Sequence, residues 1–170
     1  PVHLADIRVA NLELAVSRGA GSAEPIDDPV LVVVAVPPAD VVATVTHALG
    51  EWPQAVVTDV ASVKSGLQDQ IGTANGSERY VGSHPMAGSE RSGPMAASAR
   101  LFEGRPWAVT ASSGATPQAV ALVVQLGGVV GGVPLVMDAA AHDRAVALVS
   151  HVPHVLSVLT AARLNDAPVD

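Results

Sequence analysis

The sequence contains no cysteine, so disulfide bonds, thiolate metal ligands and a cysteine nucleophile are all excluded. Basic residues are also few: nine lysines and arginines stand against sixteen acidic residues, and the net charge is −7. An acidic chain without a basic cluster argues against nucleic acid as a partner. No uninterrupted apolar run reaches the roughly 18 residues that a membrane span needs, so we expect no membrane partner.

Aromatic residues make up only 2% of the chain, although 49% of its residues are hydrophobic. The core must therefore be built mainly from Val, Ala and Leu, which suits buried parallel strands and the helices that cover them. A chain of 170 residues is long enough for one well-buried core with an appendage.

Short β-branched runs alternate with helical patterns over residues 1–137. The clearest run is VLVVVAV at 30–36, which is typical of a strand buried on both faces. The patterns predict further strands at 1–6, 55–59, 80–83, 106–111 and 133–136, and helices at 8–18, 39–49, 62–71 and 116–126, the third with Ser62 as its N-cap. This alternation predicts an α/β fold of the Rossmann type with a mostly parallel sheet.

A single long helical pattern runs from residue 138 to about 164 and breaks the alternation. We therefore place a domain boundary near Met137, with a nucleotide-binding domain at 1–137 and the start of a helical domain at 138–170. Pro153 lies inside the long helix and predicts a kink there, because proline lacks the backbone N–H.

In parallel sheets, ligands sit at the carboxyl ends of the strands. Asp6 follows the first predicted strand, where a carboxylate can bind both ribose hydroxyls of a dinucleotide, although such an acid also commonly caps a helix. The Gly-rich phosphate loop that precedes such an acid is not in the chain, and we expect that first βα unit to lie before Pro1. Arg8 lies close by, and an arginine there can bind a 2′-phosphate, so NADP is an alternative cofactor.

Two further strand ends carry candidate cofactor contacts. Val36, Pro37 and Pro38 can form an apolar wall or simply end a strand. Asp59 and Ser62 meet where a strand becomes a helix, and Ser62 can contact a ligand or cap that helix. The only lysine, Lys64, opposes the helix dipole, which indicates that a carboxylate such as Asp59 holds it.

The strongest local signal is the loop GSHPMAGSE at 82–90. His84 follows a predicted strand directly, and a histidine there can take a proton from an alcohol while hydride leaves the same carbon; a structural histidine is the alternative. Three histidines at 142, 151 and 154 raise the alternative of a metal-dependent hydrolase. Because no further ligand completes a shell at a suitable spacing, we predict no metal site.

Five stretches carry a family resemblance: AVPP (35–38), TDVASVKS (58–65), GSHPMAGSERSGPMAA (82–97), LFEGRPWAVT (101–110) and HDRAVALVSHVPH (142–154). With these motifs the chain resembles the prephenate dehydrogenases, together with the arogenate and cyclohexadienyl dehydrogenases of tyrosine biosynthesis, and actinobacterial members most of all. The resemblance implies a cytoplasmic, NAD-dependent enzyme that converts prephenate to 4-hydroxyphenylpyruvate with loss of carbon dioxide. It also implies a homodimer formed through the helical domain.

The resemblance implies a role for each candidate site residue. His84 accepts the proton of the substrate hydroxyl, and Ser62 bonds the same hydroxyl or His84. Glu90 controls access to the site, and His154 lies near the substrate. The expected substrate contacts are Ser62, Ser83, His84, Glu90 and His154, and the expected cofactor contacts are Asp6, Val36, Pro37, Pro38, Asp59 and Ser62.

Relative to the family pattern, the chain lacks the phosphate loop and the later helical segment that carries a substrate-binding arginine. We therefore expect a truncated enzyme with weak or no activity on its own. Two alternatives stay open: an arogenate dehydrogenase, whose substrate has an amino group in place of the side-chain ketone, and a catalytically silent fragment that acts as a binding or dimerisation module.

Overall fold

The computed structural model describes residues 1–88 and 93–165, in which helices and strands alternate. The elements are α1 Val9–Ser17, β1 Leu31–Val34, α2 Val41–Glu51, β2 Val56–Asp59, α3 Ser65–Ile71, β3 Gly82–Pro85, β4 Pro106–Thr110, α4 Pro117–Val129, β5 Val133–Met137, α5 Ala139–Val146 and α6 Val152–Asn165. A π-helical turn, Ala147–His151, joins α5 to α6.

The strands lie side by side in chain order. β1 and β2 are parallel, a parallel bridge between Val57 and Tyr80 joins β2 to the start of β3, and β4 and β5 are parallel. β3 and β4 are antiparallel. Within its described residues the connection from β3 to β4 contains no α-helix, and an antiparallel pair needs no crossover helix. The predicted α/β class with a mostly parallel sheet is confirmed.

Helices cover both faces of the sheet. Val57 of β2 packs in a cluster with Val45 and Leu49 of α2, whereas its neighbour Val56 packs against a second cluster that contains Val123 of α4. Because successive side chains of a strand point to opposite faces, these two clusters lie on opposite sides of the sheet. The core is built largely from aliphatic residues, as the composition predicted.

Two differences from the sequence-based prediction concern elements next to candidate site residues. The first predicted strand is reduced to a single bridge between His3 and Ser22. The predicted helix at 62–71 begins only at Ser65, and Ser62 does not cap it. Both differences arise where local patterns are weak and tertiary contacts decide which backbone groups are paired.

The predicted long helix forms, with an irregularity just before Pro153. Proline cannot donate to the carbonyl four residues earlier, and its ring crowds that carbonyl. The π-helical turn Ala147–His151 accommodates this interruption without ending the helix. Sequence periodicity therefore predicted the helix, and the proline predicted where it is irregular.

The 25 residues Ala139–Arg163 are, by length and average composition alone, long and apolar enough to cross a membrane. The helix reaches this length as an average over apolar and polar positions, which is compatible with the lack of an uninterrupted apolar run of that length in the sequence. Its first turns nevertheless pack against the α/β domain, where His142 and Val146 are buried.

Arg79 ties the end of α2 to the start of β2. Its Nη1 donates to the carbonyls of Trp52 and Ala55 at 3.0 and 2.7 Å, and its Nη2 donates to the carbonyl of Leu49 at 2.8 Å. Replacing Arg79 by Leu removes three charge-assisted hydrogen bonds, and we expect the free energy of unfolding in urea to fall by about 2–4 kcal/mol.

The matched control is Arg100→Leu. The Arg100 side chain is 81% exposed and forms a surface ion pair with Glu103, which contributes little to stability. We expect this variant to change the free energy of unfolding by less than about 0.5 kcal/mol. Equal losses in the two variants would show that the three carbonyl contacts of Arg79 contribute nothing.

Candidate active site

The candidate site lies where β2 and β3 end next to each other. β2 ends at Asp59, and His84 is the third residue of β3. Because the two strands are bridged in parallel, their carboxyl ends share one edge of the sheet. α5 reaches the same edge through its contacts with α3 and β4.

A buried ion pair forms the floor of the site. Asp59 and Lys64 are 0% and 1% exposed, and the Lys64 Nζ bonds Asp59 Oδ1, as the sequence predicted. The Tyr80 hydroxyl donates to Asp59 Oδ2 at 2.7 Å, and the backbone N–H of Ala61 donates to Oδ1 at 2.8 Å. Each carboxylate oxygen of Asp59 thus accepts at least one hydrogen bond.

Burial shifts the pKa values of Lys64 and Tyr80, the two side chains that bond Asp59, in opposite directions. It lowers the pKa of Lys64 from its usual value, and the negative charge of Asp59 counters that effect. Burial, followed by the same negative charge, raises the pKa of Tyr80, so its hydroxyl stays protonated and donates.

Two predicted ligand contacts point into the sheet instead. The Ser83 hydroxyl donates to the Asp59 carbonyl at 2.7 Å and accepts from Thr58 Oγ1 at 3.2 Å. Ser83 and Asp59 are both fully buried, so neither offers a surface to a ligand. Their expected contacts with substrate and cofactor stay predictions that this burial does not favour, and we interpret both side chains as supports beneath the site.

Gly82 makes room for this floor. A Cβ atom at this position would lie 2.7 Å from Thr110 Oγ1 and 3.2 Å from Lys64 Cδ. Both neighbours are buried, so they cannot easily move away. Gly82 is thus required mainly by the close approach of Thr110, and also by the packing of Lys64.

His84 of β3 belongs to a chain of three hydrogen-bonded side chains, and the other two, His142 and Asp143, lie on α5. Its Nδ1 lies 2.9 Å from Nε2 of His142, and the Nδ1 of His142 lies 2.8 Å from Oδ1 of Asp143. The two imidazole rings meet edge to face, with centroids 5.2 Å apart. His142 is buried, whereas His84 is only partly so.

Asp143 also caps α3, although it lies on a different helix. Its Oδ1 accepts the backbone N–H of Lys64 and its Oδ2 accepts that of Ser65, both at 2.9 Å. This carboxylate takes the place that the sequence assigned to Ser62 as N-cap. Ser62 is instead exposed at the edge, which leaves its hydroxyl accessible to a ligand.

The histidine and the carboxylate have shifted pKa values. Burial, then the proximity of His142 and Lys64, lowers the pKa of His84 to about 4. Burial by itself would raise the pKa of Asp143, but hydrogen bonds from His142, Ser65 and Lys64 hold it at about 2. At neutral pH, His84 is therefore an uncharged base and Asp143 a carboxylate.

The remaining predicted site residues lie at several places. Asp6 is exposed and accepts the Arg8 N–H at 2.7 Å. Val36 is half-buried, Pro37 and Pro38 are exposed just beyond β1, and His154 is exposed on α6. Within the described part of the chain, no hydrogen bond links Asp6 or His154 to His84. Glu90 lies outside the described residues.

Sequence analysis considered His142 only as a possible metal ligand and assigned Asp143 no role beyond its place in a motif. The sequence did contain a signal for them, because a histidine and an aspartate stand next to each other near the start of a predicted helix. Asp138 caps this helix by accepting the Ala141 N–H. In the described ranges, no group of three or more His, Asp or Glu residues is arranged to hold a metal ion.

The chain is similar in sequence to proteins of one family. The sequence model described as prephenate dehydrogenase, nucleotide-binding domain, matches residues 2–135. The chain is 39% identical over 168 residues to a probable prephenate dehydrogenase, NovF, from Streptomyces niveus, an alignment that covers 97% of this chain and 46% of that protein. The chain thus spans about half the length of this curated relative.

Two solved structures are also similar. The prephenate dehydrogenase of Aquifex aeolicus, in complex with hydroxyphenyl propionate and NAD+, matches with a TM-score of 0.85 at 27% identity, covering 96% of this chain and 60% of that one. The arogenate dehydrogenase of Synechocystis matches with a TM-score of 0.73 at 26% identity, covering 92% and 58%. From the family match, the chain belongs to the prephenate dehydrogenase family, and its residues 2–135 belong to the nucleotide-binding domain of that family.

Proposed function

We propose that this chain is part of an NAD-dependent prephenate dehydrogenase, which oxidises prephenate to 4-hydroxyphenylpyruvate with release of carbon dioxide. The observation that carries this proposal is the partly exposed imidazole of His84 at the shared end of β2 and β3. The similarity to a complex that contains NAD+ and hydroxyphenyl propionate supports the same reaction.

The residues at the sheet edge suit a dinucleotide. Val36, Pro37 and Pro38 offer an apolar wall at the end of β1, and the exposed Ser62 offers a hydroxyl next to it in the neighbouring β2–α3 connection. Asp6 is exposed, and a carboxylate there can accept hydrogen bonds from ribose hydroxyls. The chemistry that bound NAD supplies is acceptance of a hydride from the carbinol carbon.

His84 then removes the proton of the ring hydroxyl. With Nδ1 turned to His142, Nε2 is the nitrogen that can accept this proton, and within the described residues it has no hydrogen-bond partner. Ser62 orients the hydroxyl. As the C–H bond electrons leave as hydride and the ring C–CO₂⁻ bond breaks, the ring becomes aromatic, and the proton held by His84 returns to the phenolate oxygen of the product. The protein therefore mainly has to position its substrate and hold this proton during the step.

Arogenate is the second candidate substrate. The similarity to the Synechocystis arogenate dehydrogenase favours it, and the ring chemistry is identical for both substrates. Because His84 and Ser62 act on the ring hydroxyl, they do not distinguish a side-chain ketone from an amino group.

We further propose that a helical domain begins at Asp138 and that it forms a homodimer in a cytoplasmic enzyme. β5 ends at Met137, and Asp138 caps α5. Beyond the π-helical turn, the apolar side chains of Val152, Val155 and Leu159 are at least half exposed, as expected for a surface that another subunit covers.

The test uses the complete protein that carries this chain, incubated with prephenate or arogenate and with NAD or NADP. We expect NADH, carbon dioxide and 4-hydroxyphenylpyruvate in equal amounts from prephenate. Formation of tyrosine from arogenate alone would reassign the substrate. Nucleotide binding without turnover of either compound would contradict the enzyme and favour a silent binding module.

A further inference from the structure

The chain of hydrogen bonds through the two histidines has a definite direction. The Asp143 carboxylate can only accept, so Nδ1 of His142 carries a hydrogen. In a neutral ring, Nε2 of His142 then holds a lone pair and accepts from Nδ1 of His84. The hydrogen of a neutral His84 is thereby placed on Nδ1, and its Nε2 is left with the lone pair that a base needs.

This tautomer is not the one that a free ring prefers. An imidazole side chain in water favours the hydrogen on Nε2, the form in which Nε2 cannot accept a proton. A partner on Nδ1 must reverse that preference, and the Nε2 atom of His142, only 2.9 Å away in a buried ring, is such a partner.

We propose that His142 and Asp143 are positioning residues that hold His84 in the base-competent tautomer, so that α5 completes the catalytic base of the α/β domain. The inference rests on the proposed function for its consequence in turnover, but the order of the hydrogen bonds is independent of the substrate. In this role His142 and Asp143 act on the reaction through His84 and do not contact the substrate themselves.

Burial, more than any neighbouring charge, lowers the pKa of His84 and keeps its ring uncharged at neutral pH. Lys64 and Asp59 lie beneath it on the β2–α3 side, while His142, Asp143 and His151 face it from α5 and the π-helical turn. Lys64 and Asp59 largely cancel, since they form a buried pair. The direction of the hydrogen bonds from Asp143 therefore decides which nitrogen of His84 carries the hydrogen.

The first test compares two substitutions of His142 in the complete protein. In His142→Phe the acceptor is lost, and we expect kcat to fall about 10- to 100-fold while KM changes less than about threefold. In His142→Gln the side-chain carbonyl oxygen can lie near the former Nε2 position and accept from His84, and we expect most of the loss to be recovered. His47→Phe, on the exposed side of α2, is the matched control and should leave kcat unchanged.

The second test reads the tautomer directly, through proton–nitrogen correlations of the nitrogen-15-labelled imidazole rings in the complete protein at neutral pH. We expect His84 to carry its hydrogen on Nδ1 in the unsubstituted protein and mainly on Nε2 in His142→Phe. This measurement does not depend on turnover. The tautomer of His84 in the unsubstituted protein can be read even if the variant fails to fold.

The outcomes separate this inference from the proposed function. A hydrogen on Nε2 of His84 in the unsubstituted protein overturns the inference, whatever the activity. Equal losses of kcat in the Phe and Gln variants, with His84 keeping its tautomer in both, also overturn it. The expected tautomer in a protein that oxidises neither prephenate nor arogenate supports the order of the hydrogen bonds and contradicts the proposed function.

Discussion

Replacing His84 by Asn in the complete protein should lower kcat by about 100- to 10,000-fold and leave NAD affinity nearly unchanged, because the change removes the general base and little else. The Asn side-chain amide can lie near the former Nδ1 atom and still donate to His142. The atom that is lost is Nε2, which in the proposed mechanism accepts the hydroxyl proton. Steady-state kinetics with prephenate and the binding of NADH by fluorescence measure the two effects.

His47→Asn serves as the control for this substitution, since His47 is exposed on α2 and has no place in the site. It should leave both kcat and NADH binding unaltered. If His84→Asn weakens NADH binding as much as it slows turnover, His84 supports the structure of the cofactor site and the general-base role is wrong.

The acidic side of the pH profile provides a second measurement on His84. Because its pKa is lowered to about 4, the base should remain unprotonated well below the usual histidine range, and kcat/KM should persist until the pH approaches that value. In the unfolded chain, the same ring binds a proton near pH 6.5. The stability that comes from the neutral ring is therefore present above that pH and is lost as the pH falls towards 4.

Replacing Lys64 by Met should have the largest effect on stability, lowering the free energy of unfolding by about 3–5 kcal/mol. Met matches the length of the lysine stem but removes the ammonium group from a fully buried pair. The Asp59 carboxylate then keeps only neutral donors, from Tyr80 and Ala61, which compensate poorly for a buried charge. Urea unfolding monitored by circular dichroism measures the loss.

The double variant Lys64→Met, Asp59→Asn is the matched control. Its amide oxygen can accept from Ala61, and its amide nitrogen can donate to the Tyr80 hydroxyl, so no charge remains buried without a partner. We expect more than half of the lost stability to return. A double variant as unstable as the single one, or a single variant that loses less than about 1 kcal/mol, would show that the ion pair does not support the floor of the site.

Local patterns predicted much of the fold because strands and helices have short periods. The β-branched run at 30–36 became β1, and the helical pattern at 116–126 became α4 with Thr116 as its N-cap. The same reasoning placed Lys64 against Asp59, since a lysine in the first turn of a helix needs a nearby negative charge. These inferences use residues within a few positions of one another.

The amino-acid sequence by itself determined the α/β alternation, the position of His84 near a strand end and the pairing of Lys64 with Asp59. Tertiary structure alone decided that Ser83 and Asp59 face inward, that Asp143 rather than Ser62 caps α3, and that His142 meets His84. The physical reason is distance along the chain: His142 follows His84 by 58 positions, and Asp143 follows Lys64 by 79. Periodicity and capping preferences act within a few residues, whereas such contacts exist only once the packed sheet brings α5 to the ends of β2 and β3.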